Sequence, residues 1–165
     1  MQNETIKAQR SPSEFFSAVA SLLIVWPEKI AGHLLWAGPL ATRLIVGYVF
    51  MLTGWTKLNN LPRMIELFTQ WGIPAPHLMT PVASGIEFFG GIGLMLGLCT
   101  RVFGGALSVV MIVAILAAKL ADVDSLETLF GFEEASYFAI FFWLAIHGAG
   151  QVSIDAWLRK RMPHA

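Results

Sequence analysis

Apolar residues run nearly unbroken through four stretches of the chain, at about 39–58, 79–99, 101–121 and 135–153. Each approaches the roughly 20 residues that a helix rising 1.5 Å per residue needs to cross a bilayer core. The pattern predicts an all-α fold, a polytopic four-helix membrane bundle. Upstream, FFSAVASLLIVW at 15–26 is too short to cross before Pro27, Glu28 and Lys29 interrupt it. Phe15, Phe16, Val19, Leu22, Leu23 and Trp26 recur at helical spacing, which predicts an N-terminal amphipathic helix lying in the interface. Ser11-Pro12-Ser13-Glu14 supplies its start signals. The alternative, a helix continued through 27–36 as a fifth span, must carry Glu28 and Lys29. After the first span, NNLPRMIELFTQWGIPAPH predicts a short helix capped by Asn60, with Pro62 in its first turn and Gly72 and Pro74 at its end. Met64, Ile65, Phe68 and Trp71 share its apolar side, and Thr80-Pro81 makes a start for the second span. The implied organisation is a cytoplasmic segment with the interfacial helix at 1–38, a four-span membrane domain at 39–158 and a basic tail at 159–165.

Composition supports a bilayer rather than water as the solvent. Of 165 residues, 56% are hydrophobic and 13% charged, against about a quarter charged in a soluble domain. Eleven Lys and Arg balance eleven Asp and Glu, so no net field favours nucleic acid. Cys99 is the single cysteine, which excludes an intrachain disulfide, a CxxC pair and a cysteine-rich zinc site. The polar N-terminus has no A-x-A-like site and does not read as a cleaved signal peptide. With four spans, Lys7, Arg10, Lys29, Arg101, Arg159, Lys160 and Arg161 lie on one side and Lys57, Arg63 and Lys119 on the other, which places both termini in the cytoplasm. The acidic segment DVDSLETLFGFEE at 122–134 then faces outward, by default as a solvated loop.

Charges inside the spans are the candidate chemistry. Arg43, Gly47, Phe50, Gly54 and Lys57 are spaced 4, 3, 4 and 3 residues apart and form one helical stripe. Because a charge facing lipid is costly, that stripe should face protein or trapped water, with Gly47 and Gly54 admitting a neighbouring backbone. Glu87 stands near the middle of the second span, in a helix where Gly90, Gly93 and Gly97 suit close packing. An isolated carboxylate there would cost several kcal/mol or take up a proton, so it needs a partner. Arg43 and Lys57 are each offset from Glu87 by roughly 10 Å in depth, and the planar fork of Arg43 makes it the expected partner. His147 on the fourth span comes within about 10 Å in depth by the same count. Arg43, Glu87 and His147 thus form a candidate polar centre, with Lys57 above it.

Plainer roles suit the same residues. Lys57 and Lys119 can snorkel to headgroups, Arg43 and Glu87 can clamp two helices, and His147 can serve as a packing hydrogen bonder. Met51, Met95, Met111 and Cys99 fit packing better than soft-metal ligation, so no metal site is assigned. Trp26, Trp36, Trp55, Trp71 and Trp157 fit interfacial belts.

The motif R-x3-G-x2-F-x3-G-x2-K at 43–57, F-x2-WGIP-x-P at 68–76, GIEFFGGIGLMLGLCTR at 85–101 and HGAGQVSID at 147–155 together resemble the DoxX/DoxD family of small bacterial four-helix membrane proteins. The resemblance runs from about 39 to 159. It implies a link to membrane oxidoreductase complexes, such as a terminal quinol oxidase or a thiosulfate:quinone oxidoreductase, and to oxidative or metal stress. By position, Arg43, Lys57, Glu87, Ser153 and Asp155 are the family-like polar residues. His147 has no assigned place in that pattern. Ser153 and Asp155 fall at the cytoplasmic end, where Asp155 suits a contact with Arg43 or Arg101.

Three function classes follow. The first is an accessory subunit without independent catalysis, whose polar centre binds a quinone headgroup or a small anionic ligand, or supports a membrane or periplasmic oxidoreductase. No cofactor is evident from motifs, and a quinone is the class the site admits. The second is a small-solute or metal-related transporter or permeability factor, acting as a homo-oligomer. The third is a structural assembly factor.

Overall fold

The computed structural model describes residues 16–162 apart from Ala18. The start signals Ser11 to Glu14, and Phe15, lie outside the described residues. No strand occurs among the described residues, and helices account for most of them. Two units divide the chain, 1–35 and 36–165.

In the first unit the helix does not stop at Pro27. One wide π turn, Ser21–Val25, leads into α1, Trp26–Leu34. Proline has no N–H for the carbonyl four residues back and its ring crowds that carbonyl. A π turn, closed here by Trp26 N–H donating to Ser21 O, is one way to carry the helix across. Phe16, Leu22, Leu23 and Trp26 are exposed.

The second unit holds α2, Ala37–Asn59; α3, Leu61–Gln70; α4, Pro76–Leu96; and α5, Thr100–Ala114. A π turn at Ile115–Lys119 and a 3-10 turn at Leu120–Asp122 extend α5. Then come α6, Leu126–Gly131; α7, Glu133–His147; and α8, Ile154–Arg161. Among the described residues three helices are long and apolar enough to cross a bilayer: Ala37–Asn59, Pro76–Leu96 and Thr100–Asp122. The second starts at Pro76, so Pro81 lies inside it rather than at its start. The fourth stretch is helical for 15 residues, Glu133–His147, about 22 Å at 1.5 Å per residue. It ends before 153 because Gly148 and Gly150 take positive φ, which a continuing helix cannot use.

Packing follows the small residues. α2 lies along α4 and α5 along α7, with α4 against α5 joining the two pairs. A β-carbon on Gly54 would sit 2.7 Å from Phe88 Cα and 2.8 Å from Ser84 O, and one on Gly47 would sit 2.7 Å from Gly91 O. The two backbones therefore touch, as small residues allow in lipid, where burial supplies no drive to associate. Of the other predicted packing glycines, Gly90 and Gly93 instead accommodate the side chains of Phe103 and Leu107, and Gly97 ends α4 at φ +65°. Val46, Phe50, Leu94, Leu107, Met111, Phe141 and Leu144 form the core. Phe50 meets Phe141 edge to face at 4.7 Å, the arrangement that ring quadrupoles favour.

Candidate functional site at two ends of one helical stripe

The predicted stripe on α2 faces inward: Arg43, Gly47, Phe50 and Gly54 are buried, and Lys57 is 30% exposed. Its two charges serve different partners. Lys57 Nζ donates to Glu87 Oε1 at 2.6 Å, and Glu87 is 2% exposed. Arg43, the expected partner, lies at the other end and is 1% exposed. Its Nη2 donates to Val152 O at 2.6 Å, Nη1 to Leu94 O at 3.3 Å and Nε to Pro39 O at 3.3 Å.

Side-chain direction accounts for this exchange. The Cα–Cβ bonds of a helix tilt toward its N-terminus. Gly54 faces Ser84 and Phe88, and Gly47 faces Gly91 and Met95, so α2 and α4 run antiparallel. Lys57 and Glu87 therefore lean toward each other, whereas Arg43 leans toward Pro39, away from Glu87.

Around Arg43 the chain builds a cross-tie. Asp155 accepts from Cys99 N at 2.8 Å and Thr100 N at 2.9 Å, and its own N–H donates to Gly97 O at 2.9 Å. Its carboxylate thus caps α5 and holds Cys99 at φ +49°, a conformation side chains usually avoid. Ser153 Oγ accepts from Ala156 N at 3.1 Å and caps α8. Arg43 and Asp155 thereby fasten the segment after α7 to the ends of α2, α4 and α5, while the bonds of Ser153 stay within that segment. His147 is exposed, stacks on Trp143 at 4.7 Å, and lines neither cleft at the Lys57–Glu87 pair.

Two clefts meet at that pair. The larger, about 320 Å³, has Lys57, Glu87, Lys119 and Glu134 as its charged residues, and its walls are otherwise apolar, with Phe68, Trp71 and Val109 among them. The smaller, about 180 Å³, is lined by Glu133, Glu134, Tyr137 and Thr53 together with Lys57 and Glu87. Lys119 Nζ lies 4.0 Å from Glu134 Oε1. Glu87 Oε2 and Glu134 Oε2 are buried without a hydrogen-bond partner. Sequence reasoning left Lys119 and the acidic segment as surface features. The π turn that carries Lys119 has no local sequence mark, whereas the polar start of α7, Glu133-Glu134 with Tyr137 one turn on, is visible.

The arrangement offers ammonium donors and unpaired carboxylate acceptors at the head of an apolar cleft. Among the described residues no cluster of three or more His, Cys, Asp or Glu is placed to hold a metal ion.

Comparison with known proteins adds the following. The DoxX family model matches residues 38–120. The Bacillus subtilis (strain 168) protein named "Putative oxidoreductase CatD" is 34% identical over 83 residues, 50% of this chain and 60% of CatD. The chain thus spans less than two thirds of that relative. The Escherichia coli (strain K12) protein named "Inner membrane protein YqjF" is 24% identical over 124 residues, 75% of this chain and 94% of YqjF. No solved structure matches the chain at a significant level.

Proposed function

Because the chain belongs to the DoxX family of membrane proteins, we propose that it is an accessory subunit of a bacterial inner-membrane redox or stress-response system that binds a quinone-class ligand. The observation that carries this reading is the Lys57–Glu87 pair at 2.6 Å heading a cleft of about 320 Å³ whose remaining wall is almost wholly apolar. Small-molecule sites of this kind combine apolar walls with a few fixed polar groups and begin near 300 Å³. A quinone carbonyl accepts from Lys57 or Lys119. The hydroxyl of the reduced form donates to Glu87 Oε2 or Glu134 Oε2. In this reading electrons come from a partner oxidoreductase. The names of CatD and YqjF support the redox and inner-membrane parts of this reading. In the same reading α7 crosses as the fourth span together with 148–153, the N-terminal helix lies in the interface and both termini are cytoplasmic.

The test uses Trp71, which lines the cleft, as a fluorescent reporter in nanodiscs titrated with short-chain ubiquinone and its reduced form. Saturable quenching absent from Trp71→Phe supports the site. Glu87→Gln, which removes a charge-assisted bond of about 1.5–3 kcal/mol, should weaken the reduced form at least about ten-fold. Absence of saturation, or affinity unmoved by Glu87→Gln and Lys57→Gln alike, overturns it. A second reading, a solute pathway, draws on the sharing of Lys57, Glu87 and Glu134 by both clefts. It requires partner-free solute flux in reconstituted vesicles.

A further inference from the structure

The smaller cleft differs from the larger in what lines it. Glu133 and Glu134 stand in the first turn of α7, and Tyr137 lies one turn deeper on the same face. Opposite them, Thr53 lies one turn below Lys57 on α2, and Phe50 and Met111 add apolar wall. Glu133 is exposed, Glu134 intermediate and Glu87 buried, so carboxylates line the cleft from solvent to the protein interior. Two of their oxygens, Glu87 Oε2 and Glu134 Oε2, are buried without partners. Each would cost about 1–3 kcal/mol if it stayed so. Water offers both a partner. A volume of about 180 Å³ admits several molecules at roughly 30 Å³ each.

We propose that this smaller cleft is a water-filled proton path joining the aqueous phase at the acidic segment to Glu87. A proton on Glu134 passes to Glu87 by exchange through water, each O–H bond broken being matched by one formed. Glu134 ends as carboxylate and Glu87 as neutral acid. Lys57 then loses its direct counter-charge. Glu134, which shares both clefts with Lys57, supplies the replacement. Lys119 beside Glu134, Glu133 and the Tyr137 hydroxyl are the other titratable groups on the elements packed there. The path stands whether or not the larger cleft takes a quinone.

Thiol accessibility separates a wet cleft from a dry one, because only the thiolate reacts and an apolar environment suppresses it. In a Cys99→Ser background, Thr53→Cys and Val49→Cys place thiols in the cleft, and Leu52→Cys places one on the exposed face of α2. A charged, membrane-impermeant methanethiosulfonate reagent added to the full chain in nanodiscs should modify Thr53→Cys at least about ten times faster than Leu52→Cys. Val49→Cys gives the same comparison if Thr53→Cys does not fold. Either cleft thiol reacting faster supports the path, even if ubiquinone does not bind. Both reacting no faster than Leu52→Cys overturns it, even if ubiquinone does bind.

Discussion

Lys57→Met should be the most damaging single change at the ion pair, and its cost follows from the unequal burial of the two partners. Glu87 is 2% exposed and Lys57 30%. Removing the lysine leaves the buried carboxylate without its counter-charge, and breaking a buried pair in this way costs about 3–5 kcal/mol. Glu87→Leu strands only the lysine, whose flexible stem can carry its ammonium outward. Its cost should stay near about 1–2 kcal/mol, closer to that of an ordinary lost bond to a charged group. The double variant Lys57→Met/Glu87→Leu removes both charges and should return to within about 1 kcal/mol of the parent, since a buried pair is commonly replaceable by apolar side chains. Reversible unfolding of the four proteins in bicelles, combined as a double-mutant cycle, gives the coupling directly. Lowering the pH should lessen the penalty of Lys57→Met alone, because protonation removes the stranded charge. Equal single costs, or a double variant no better than Lys57→Met, would refute the argument from burial. If the double variant folds and still binds short-chain ubiquinone as the parent does, the pair is a clamp and not a binding head.

Three further outcomes test the frame around the site. Gly54→Ala should cost about 1–3 kcal/mol through overpacking, because its β-carbon meets the α4 backbone, whereas Gly85→Ala, with nothing within 4 Å, should be neutral or better in thermal unfolding. Asp155→Ala should cost about 2–3 kcal/mol by releasing Cys99 N and Thr100 N, and should raise amide exchange at the start of α5 while leaving the Lys57 end unchanged. Asp124 is held below the usual carboxylate range by the Thr128 hydroxyl, with backbone N–H help. A carboxyl lowered in the folded state stabilises above its unfolded value and ceases to as pH falls through the folded one. Carbon-detected titration of Asp124 should therefore show a midpoint that rises in Thr128→Val.

How much of this was legible in the sequence depends on which physical rule each feature obeys. The apolar runs at 39–58, 79–99 and 101–121 became helices because hydrocarbon leaves the backbone no partner but itself. The α2 stripe became a buried face because spacing alone fixes a helical side. Pro27 misled, since a π turn carries the helix past it, and Gly148 stopped α7 earlier than hydropathy suggested.

The pairing was lost for a subtler reason. Depth counted in residues set Arg43 and Lys57 equally far from Glu87, so length and fork geometry decided for Arg43. Depth is symmetric, but side-chain lean is not. Small residues seven apart occur on both helices, Gly47 and Gly54 on α2, Ser84 and Gly91 on α4. Aligned antiparallel, these pairs fix the register, and the N-terminal lean of each side chain then turns Lys57 and Glu87 together and Arg43 away. The same step explains the division of labour along α2. One end meets the chain's own carbonyls through all three guanidinium nitrogens. The other meets a carboxylate with an oxygen left over, and Glu87 Oε2, with Glu134 Oε2 on the same two clefts, has hydrogen-bonding capacity for something beyond the chain itself.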